Sequence, residues 1–126
     1  MVAAARNLRV GDPTKMETVI GPVAYKGHRD KIEEYIAEAK NTGAKLLLGG
    51  ERPYDDETRK GFFVAPTIFG DCNNGMRLMQ DEVFGPVVGI MPFDTAEEAV
   101  RLANDTKYGL SASIWTNNLR HGMVMA

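Results

Sequence analysis

The sequence predicts an α/β fold, a mainly parallel sheet with flanking helices. Three observations predict it. Short apolar runs bounded by glycine and proline alternate with longer periodic segments. Residues 27–42 carry Ile32, Tyr35, Ile36 and Ala39 at spacings of three and four, which is one face of a helix. Thr95-Ala96-Glu97-Glu98 has capping-box spacing directly after an apolar run.

Each element has its own local reason. Residues 2–10 read as a helical stretch that Gly11 can stop. Pro13, Gly21 and Pro22 make residues 12–23 a loop. Gly43 follows the 27–42 helix and supplies a residue that tolerates positive φ. Residues 44–48 form a short apolar strand, and Gly49-Gly50 ends it as a tight turn. Residues 51–61 are polar and read as an exposed excursion. Residues 62–69 are aromatic and β-branched, hence extended, with Pro66 confined to an edge or a break. Residues 70–75 form a turn, and residues 86–93 a further strand. A helix from Asp94 or Thr95 carries the apolar stripe Ala96, Ala99, Val100 and Ala103. Residues 110–116 are the last strand, and Asn117 or Asn118 can cap a final helix running to Ala126. The first helix has no start signal and the last has no stop, so the sequence reads as a piece of a longer chain.

Composition narrows the function. A hydrophobic share of 44% with 25% charged residues excludes a disordered or collagen-like chain. The 126 residues suffice for one domain that buries about two-thirds of its unfolded surface. A net charge of −2 carries no electrostatic footprint for nucleic acid or anionic membranes. No apolar run approaches a membrane span, and the start does not read as a signal peptide. A single cysteine, Cys72, excludes an internal disulfide and fits a reducing, cytoplasmic setting. His28 and His121 have no metal-ligand spacing, so no metal is expected.

No dinucleotide fingerprint, phosphate loop or nucleophile elbow occurs. Cys72 lies in a turn beside Asp71, whose carboxylate disfavours a thiolate, so it reads as a thiol without a catalytic task. The informative stretch is Gln80-Asp81-Glu82-Val83-Phe84-Gly85-Pro86-Val87. In an extended segment Glu82 and Phe84 point to the same side. A carboxylate can accept from two ribose hydroxyls, and an aromatic ring can pack against a heterocycle. A solvated acid beside a packed phenylalanine is the plainer reading of the same pair.

Glu82-Val83-Phe84-Gly85-Pro86 resembles the E-x-F-G-P motif of the NAD(P)-dependent aldehyde dehydrogenase superfamily. Arg9-Val10-Gly11-Asp12-Pro13, Gly21-Pro22, the 27–42 helix, and the blocks at 43–50, 61–69 and 103–110 resemble the same family in order and spacing. The tone is closest to members acting on betaine aldehyde and semialdehydes. The resemblance implies an interior part of the catalytic domain, without the cofactor-binding Rossmann domain. It implies that Glu82 binds the nicotinamide ribose and that Phe84 contacts the nicotinamide. By position, His28 and Lys31 would face the cofactor's adenosine half, although a wet helix face explains them equally well. The family's nucleophilic cysteine and general base match no residue here, so no catalytic residue is assigned and the chain alone is expected to be inactive. The complete enzyme would be a homo-oligomer that oxidises a small aldehyde to the acid with NAD or NADP. A stand-alone, non-catalytic association domain is the alternative. An independent nucleotide-binding module is a third reading, weakened by the missing glycine-rich loop. A segment parted from its neighbours is expected to be marginally stable or to associate.

Overall fold

The computed structural model describes residues 1–53 and 55–125. Tyr54, inside the polar excursion, and Ala126, the end of the last expected helix, lie outside the described residues. The chain forms two compact units, Met1–Met91 and Pro92–Ala126.

The first unit holds a short helix α1 (Val2–Arg6), the long helix α2 (Lys26–Asn41), strands β1 (Lys45–Leu48), β2 (Thr67–Gly70) and β3 (Val87–Gly89), and a one-turn helix α3 (Arg77–Gln80). Helix α2 buries Ile32, Tyr35, Ile36 and Ala39, the stripe its periodicity predicts. It ends at Gly43, φ +94°, and the Ala44 N–H reaches back to the Ala39 carbonyl at 3.1 Å. That bond closes the left-handed glycine cap expected there.

The sheet has strand order β1-β2-β3 and is mixed rather than mainly parallel. β2 and β3 are parallel, with Thr67 opposite Val87, and the connection between them contains α3. β1 and β2 are antiparallel, with Leu46 opposite Phe69 and a register shift between Leu46 and Leu48. Among the described residues the connection between β1 and β2 holds a single 3₁₀ turn, Thr58–Lys60, and no crossover helix. β2 is central and all four of its residues are buried. It begins at Thr67, later than expected, because Pro66 has no N–H for a ladder. The core joins α2 to the sheet through Ile32, Ile36, Ala39, Val64, Phe69, Cys72, Met76 and Leu78.

The Gly49-Gly50 turn is tight for a definable reason. Gly49 has φ +71°, and a Cβ there would lie 2.1 Å from the Pro66 carbonyl oxygen. The turn folds over the start of β2, where Thr67 Oγ1 accepts from the Gly50 N–H at 3.0 Å.

Most of the excursion's described residues are exposed, as its composition predicts, but Thr58 is a buried anchor. Asp55 accepts from the Thr58 N–H at 2.7 Å and from the Thr58 hydroxyl at 2.9 Å, and Thr58 is buried. That cap orients Glu57 toward the N-terminal segment. Glu57 Oε1 accepts from the Asp12 N–H at 2.7 Å and from Lys15 Nζ at 2.9 Å, and Arg9 lies 3.7 Å from its other oxygen. Residues 9–20 close on themselves through a Val10–Ile20 bridge.

The second unit holds α4 (Ala96–Asn104) and α5 (Leu119–Met125). Thr95 caps α4, accepting from the Glu98 N–H at 3.1 Å. Glu98 reaches back to the Asp94 N–H at 2.8 Å, one residue before the cap. Asn118 caps α5 through the His121 N–H at 3.2 Å. The strand expected over 110–116 is not formed. Leu110 and Trp115 are each 94% exposed, and a strand without a pairing partner leaves its backbone groups unpaired. Among the described residues no helix is long and apolar enough to cross a membrane.

Two outcomes follow from this packing. A Cβ at Gly85 would lie 2.6 Å from Ile32 Cδ1 and 3.2 Å from Ile32 Cγ2, and a β-branched side chain gives little. Gly85→Ala therefore destabilises by about 1–3 kcal/mol, measured by urea unfolding. The Lys15 side chain, then the Asp12 N–H, hold the Glu57 carboxyl below its ordinary value. Its folded value is the lower one, so its contribution is present above the ordinary glutamate range and is lost as pH falls through the folded value. The protection of the Asp12 amide, its exchange rate relative to the intrinsic rate at each pH, falls over that acid range, and Glu57→Gln abolishes that fall.

Candidate functional site

The residues singled out in the motif are carried by a loop laid along α2. The loop, residues 81–86, touches the helix at three points spaced as one helical stripe. His28 Nε2 donates to the Phe84 carbonyl oxygen at 2.8 Å. Ile32 packs against Gly85 so closely that only a hydrogen fits between them. The Tyr35 hydroxyl donates to Asp81 Oδ2 at 3.1 Å. Positions 28, 32 and 35 lie on one face because helical neighbours recur at three and four residues. The loop runs antiparallel to the helix, so Asp81 meets the later helix residue and Phe84 the earlier one.

Arg77 strengthens the Asp81 end. Its guanidinium donates to Asp81 at 3.2 Å, to Glu38 at 3.2 Å and to the Tyr35 hydroxyl at 3.2 Å. It also lies 4.2 Å from the Tyr35 ring centre. Asp81 and Glu38 keep the Arg77 proton bound even more firmly than usual. At the other end the Thr67 N–H donates to the Pro86 carbonyl at 2.8 Å, and the Val87 N–H closes a tight turn onto the Gly85 carbonyl at 2.8 Å.

Between these anchors Val83 packs against the core, while Glu82 and Phe84 are exposed. The segment is not extended throughout, because Phe84 takes a positive φ. Phe84 is 73% exposed and sits at φ +52°. The left-handed region costs a residue with a Cβ about 1–2 kcal/mol. An exposed ring gains little burial to offset that cost. A strained, exposed aromatic two residues from an exposed carboxylate makes this loop the candidate site. An aromatic face can pack on a flat ring, and a carboxylate can accept from hydroxyls.

Of the four residues picked from the sequence, the structure joins His28 to Phe84 and leaves Glu82 exposed. Lys31 is exposed, with its ammonium 5.9 Å from the Tyr35 ring centre, so its contact is with the helix's own aromatic. Tyr35, Arg77 and Asp81 were not singled out as site residues. Tyr35 carries the signal of a polar tip on an apolar stripe, and Arg77 carries only its i,i+4 spacing to Asp81, since its other partners lie 39 and 42 positions away.

Cys72 lies apart from this surface. It is 4% exposed, and its N–H donates to the Ile90 carbonyl at 3.1 Å. Burial pushes its thiol up, and Asp71 pushes it further. A shallow groove of about 270 Å³ on the far side of α2 is flanked by Glu33, Lys40 and Arg52. Its charges are already engaged: Arg52 with Glu33, and Lys40 with the Gly50 carbonyl at 2.8 Å. Among the described residues no group of three or more His, Cys, Asp or Glu side chains is placed to hold a metal ion.

Comparison with known proteins bears on this geometry. The family model described as "Aldehyde dehydrogenase family" matches residues 1–126. A betaine aldehyde dehydrogenase of Bacillus subtilis (strain 168) is 44% identical over 119 residues, which is 94% of this chain and 24% of that protein. The crystal structure of a Staphylococcus aureus betaine aldehyde dehydrogenase in complex with NAD+ superposes with a TM-score of 0.94 at 37% identity, covering 98% of this chain and 25% of that one. A Mycobacterium tuberculosis aldehyde dehydrogenase complexed with NAD+ gives 0.90 at 41% identity, over 96% of this chain and 25% of that one. The chain thus spans about a quarter of the length of these relatives. A match running from the first residue to the last, on a backbone shared with solved members, means that this chain belongs to the aldehyde dehydrogenase family.

Proposed function

We propose that this chain is an interior part of the catalytic domain of an NAD(P)-dependent aldehyde dehydrogenase, and that it holds the nicotinamide end of the cofactor. The observation that carries the reading is the loop at 81–86, which is anchored to α2 at three points and leaves Glu82 and Phe84 exposed. These residues fit the group. The Glu82 carboxylate accepts from the ribose hydroxyls, and the Phe84 ring packs on the nicotinamide. His28 stands beside Phe84 at the edge of this surface, and Lys31 follows one turn along α2.

In the complete enzyme a cysteine outside this chain attacks the aldehyde, and the thiohemiacetal loses hydride. NAD(P)+ supplies the hydride acceptor. Hydrolysis of the resulting thioester releases the acid. This chain contributes orientation: it fixes the ribose and limits the swing of the nicotinamide, which raises the fraction of bound cofactor in reacting position. The substrate is a small aldehyde of the betaine-aldehyde or semialdehyde type, a reading that draws on the Bacillus and Staphylococcus relatives. The complete enzyme works in the cytoplasm as a homo-oligomer. The cofactor half that separates NAD from NADP lies outside this chain. The alternative reading, a non-catalytic association domain, draws on the exposed Leu110, Trp115, Leu119 and Val124.

Two measurements on the full-length protein carrying this chain test the reading. Glu82→Gln weakens NAD(P)+ binding and slows hydride transfer by about 10-fold or more, as expected for a charged hydrogen-bond acceptor. Unchanged affinity and an unchanged single-turnover rate overturn the assignment of Glu82. Cys72→Ala lowers stability by about 1 kcal/mol and leaves turnover unchanged. A loss of turnover there gives Cys72 a chemical task that its burial argues against.

A further inference from the structure

We propose that His28 is a positioning residue: it acts on the cofactor through the Phe84 backbone, by locking that residue in the left-handed conformation that presents its ring. This rests on the reading of Phe84 as a nicotinamide contact. Four observations carry it. Phe84 holds φ +52° with its ring exposed, so neither backbone preference nor burial accounts for the conformation. The segment is pinned on both sides, at Asp81 by Tyr35 and Arg77 and at Pro86 by the Thr67 N–H. Between fixed ends, the remaining freedom is rotation of the peptide planes around Phe84. The Phe84 carbonyl reports that rotation, and His28 Nε2 grips it at 2.8 Å.

The chemistry of the bond limits what else His28 can do. A carbonyl only accepts, so Nε2 carries the proton. That donor is committed to the protein backbone and is not available to a ribose hydroxyl. The imidazole is itself steadied by Tyr25, whose ring centre lies 5.9 Å away at 42°. The lock does not need charge, because Nε2–H is present in the neutral tautomer as well as in the imidazolium.

The test uses the full-length protein carrying this chain. NAD+ is titrated calorimetrically into the wild type, His28→Ala, His28→Gln, Phe84→Gly and the double variant His28→Ala/Phe84→Gly. Amide exchange over residues 82–86 is followed without cofactor. His28→Ala is expected to weaken NAD+ binding about 3- to 10-fold, the range of one lost hydrogen bond, and to speed exchange over 82–86 in the cofactor-free protein. His28→Gln, which retains an N–H donor, restores most of both. Glycine adopts positive φ unaided, so adding His28→Ala to Phe84→Gly changes affinity by less than about twofold. The same loss in both backgrounds overturns the proposal, because His28 then acts independently of Phe84. No loss in the wild-type background overturns it too. If His28→Ala lowers the thermal midpoint, His28→Phe keeps a ring and removes the donor. Unchanged NAD+ affinity in Phe84→Gly alone sinks the underlying reading of Phe84, and does so without any His28 variant.

Discussion

The contact between Gly85 and Ile32 sets the geometry on which the rest of the first unit depends. A helix and a loop can approach this closely only where one partner has no side chain. Once they do, the backbone on either side of Gly85 has little choice of path. Upstream, Asp81 comes within reach of Tyr35 and Arg77. Downstream, Pro86 and Val87 enter the sheet beside Thr67. The exposed pair Glu82 and Phe84 is therefore held from the core beneath it as well as by the His28 bond to the Phe84 carbonyl. Ile32, fully buried, belongs to the hydrophobic core and to the support of the site at once.

Much of this was legible in the sequence, and the exceptions have physical causes. The α2 stripe was legible because helical burial repeats within four residues. The Gly43 cap and the Thr95 cap were legible for the same reason: each is decided locally. The α/β class followed from alternation of elements. The pairing of β1 with β2 was not legible, since strand direction depends on how an eighteen-residue connection (residues 49–66) returns. The 110–116 run reads as a strand from composition, yet a strand is a pairwise object, and pairing is a property of what lies opposite. The His28 bond to Phe84 spans 56 positions, and no local pattern announces it. The resemblance to a set of ordered blocks assigned Phe84 to the nicotinamide and His28 to the adenosine half of a cofactor, so it did not foresee a bond between the two residues.

The two ends of the α2–loop contact differ in kind. At the Asp81 end, charge is shared among Arg77, Asp81 and Glu38, with Tyr35 between them. Such a network tolerates small displacements, because losing one partner leaves others. At the Phe84 end there is one donor and one acceptor. The loop is thus redundantly tied where it leaves the core and singly tied where it would meet a ligand. Sites often concentrate their mobility at the point of contact, where adjustment on binding is useful.

The clip made by Glu57 has a consequence for how the chain assembles. Asp12 and Glu57 are separated by 45 positions, with α2, β1 and the Gly49-Gly50 turn between them. Closing so long an interval is entropically costly until those elements have formed. The capped turn at Asp55 and Thr58 then delivers the carboxylate to the Asp12 amide. A contact of that order is expected to form late, and a late contact contributes little to the speed of folding. Its influence falls on the rate of escape from the folded state. The clip acts as a latch on the N-terminal segment: it governs how long the segment stays closed rather than how quickly it closes.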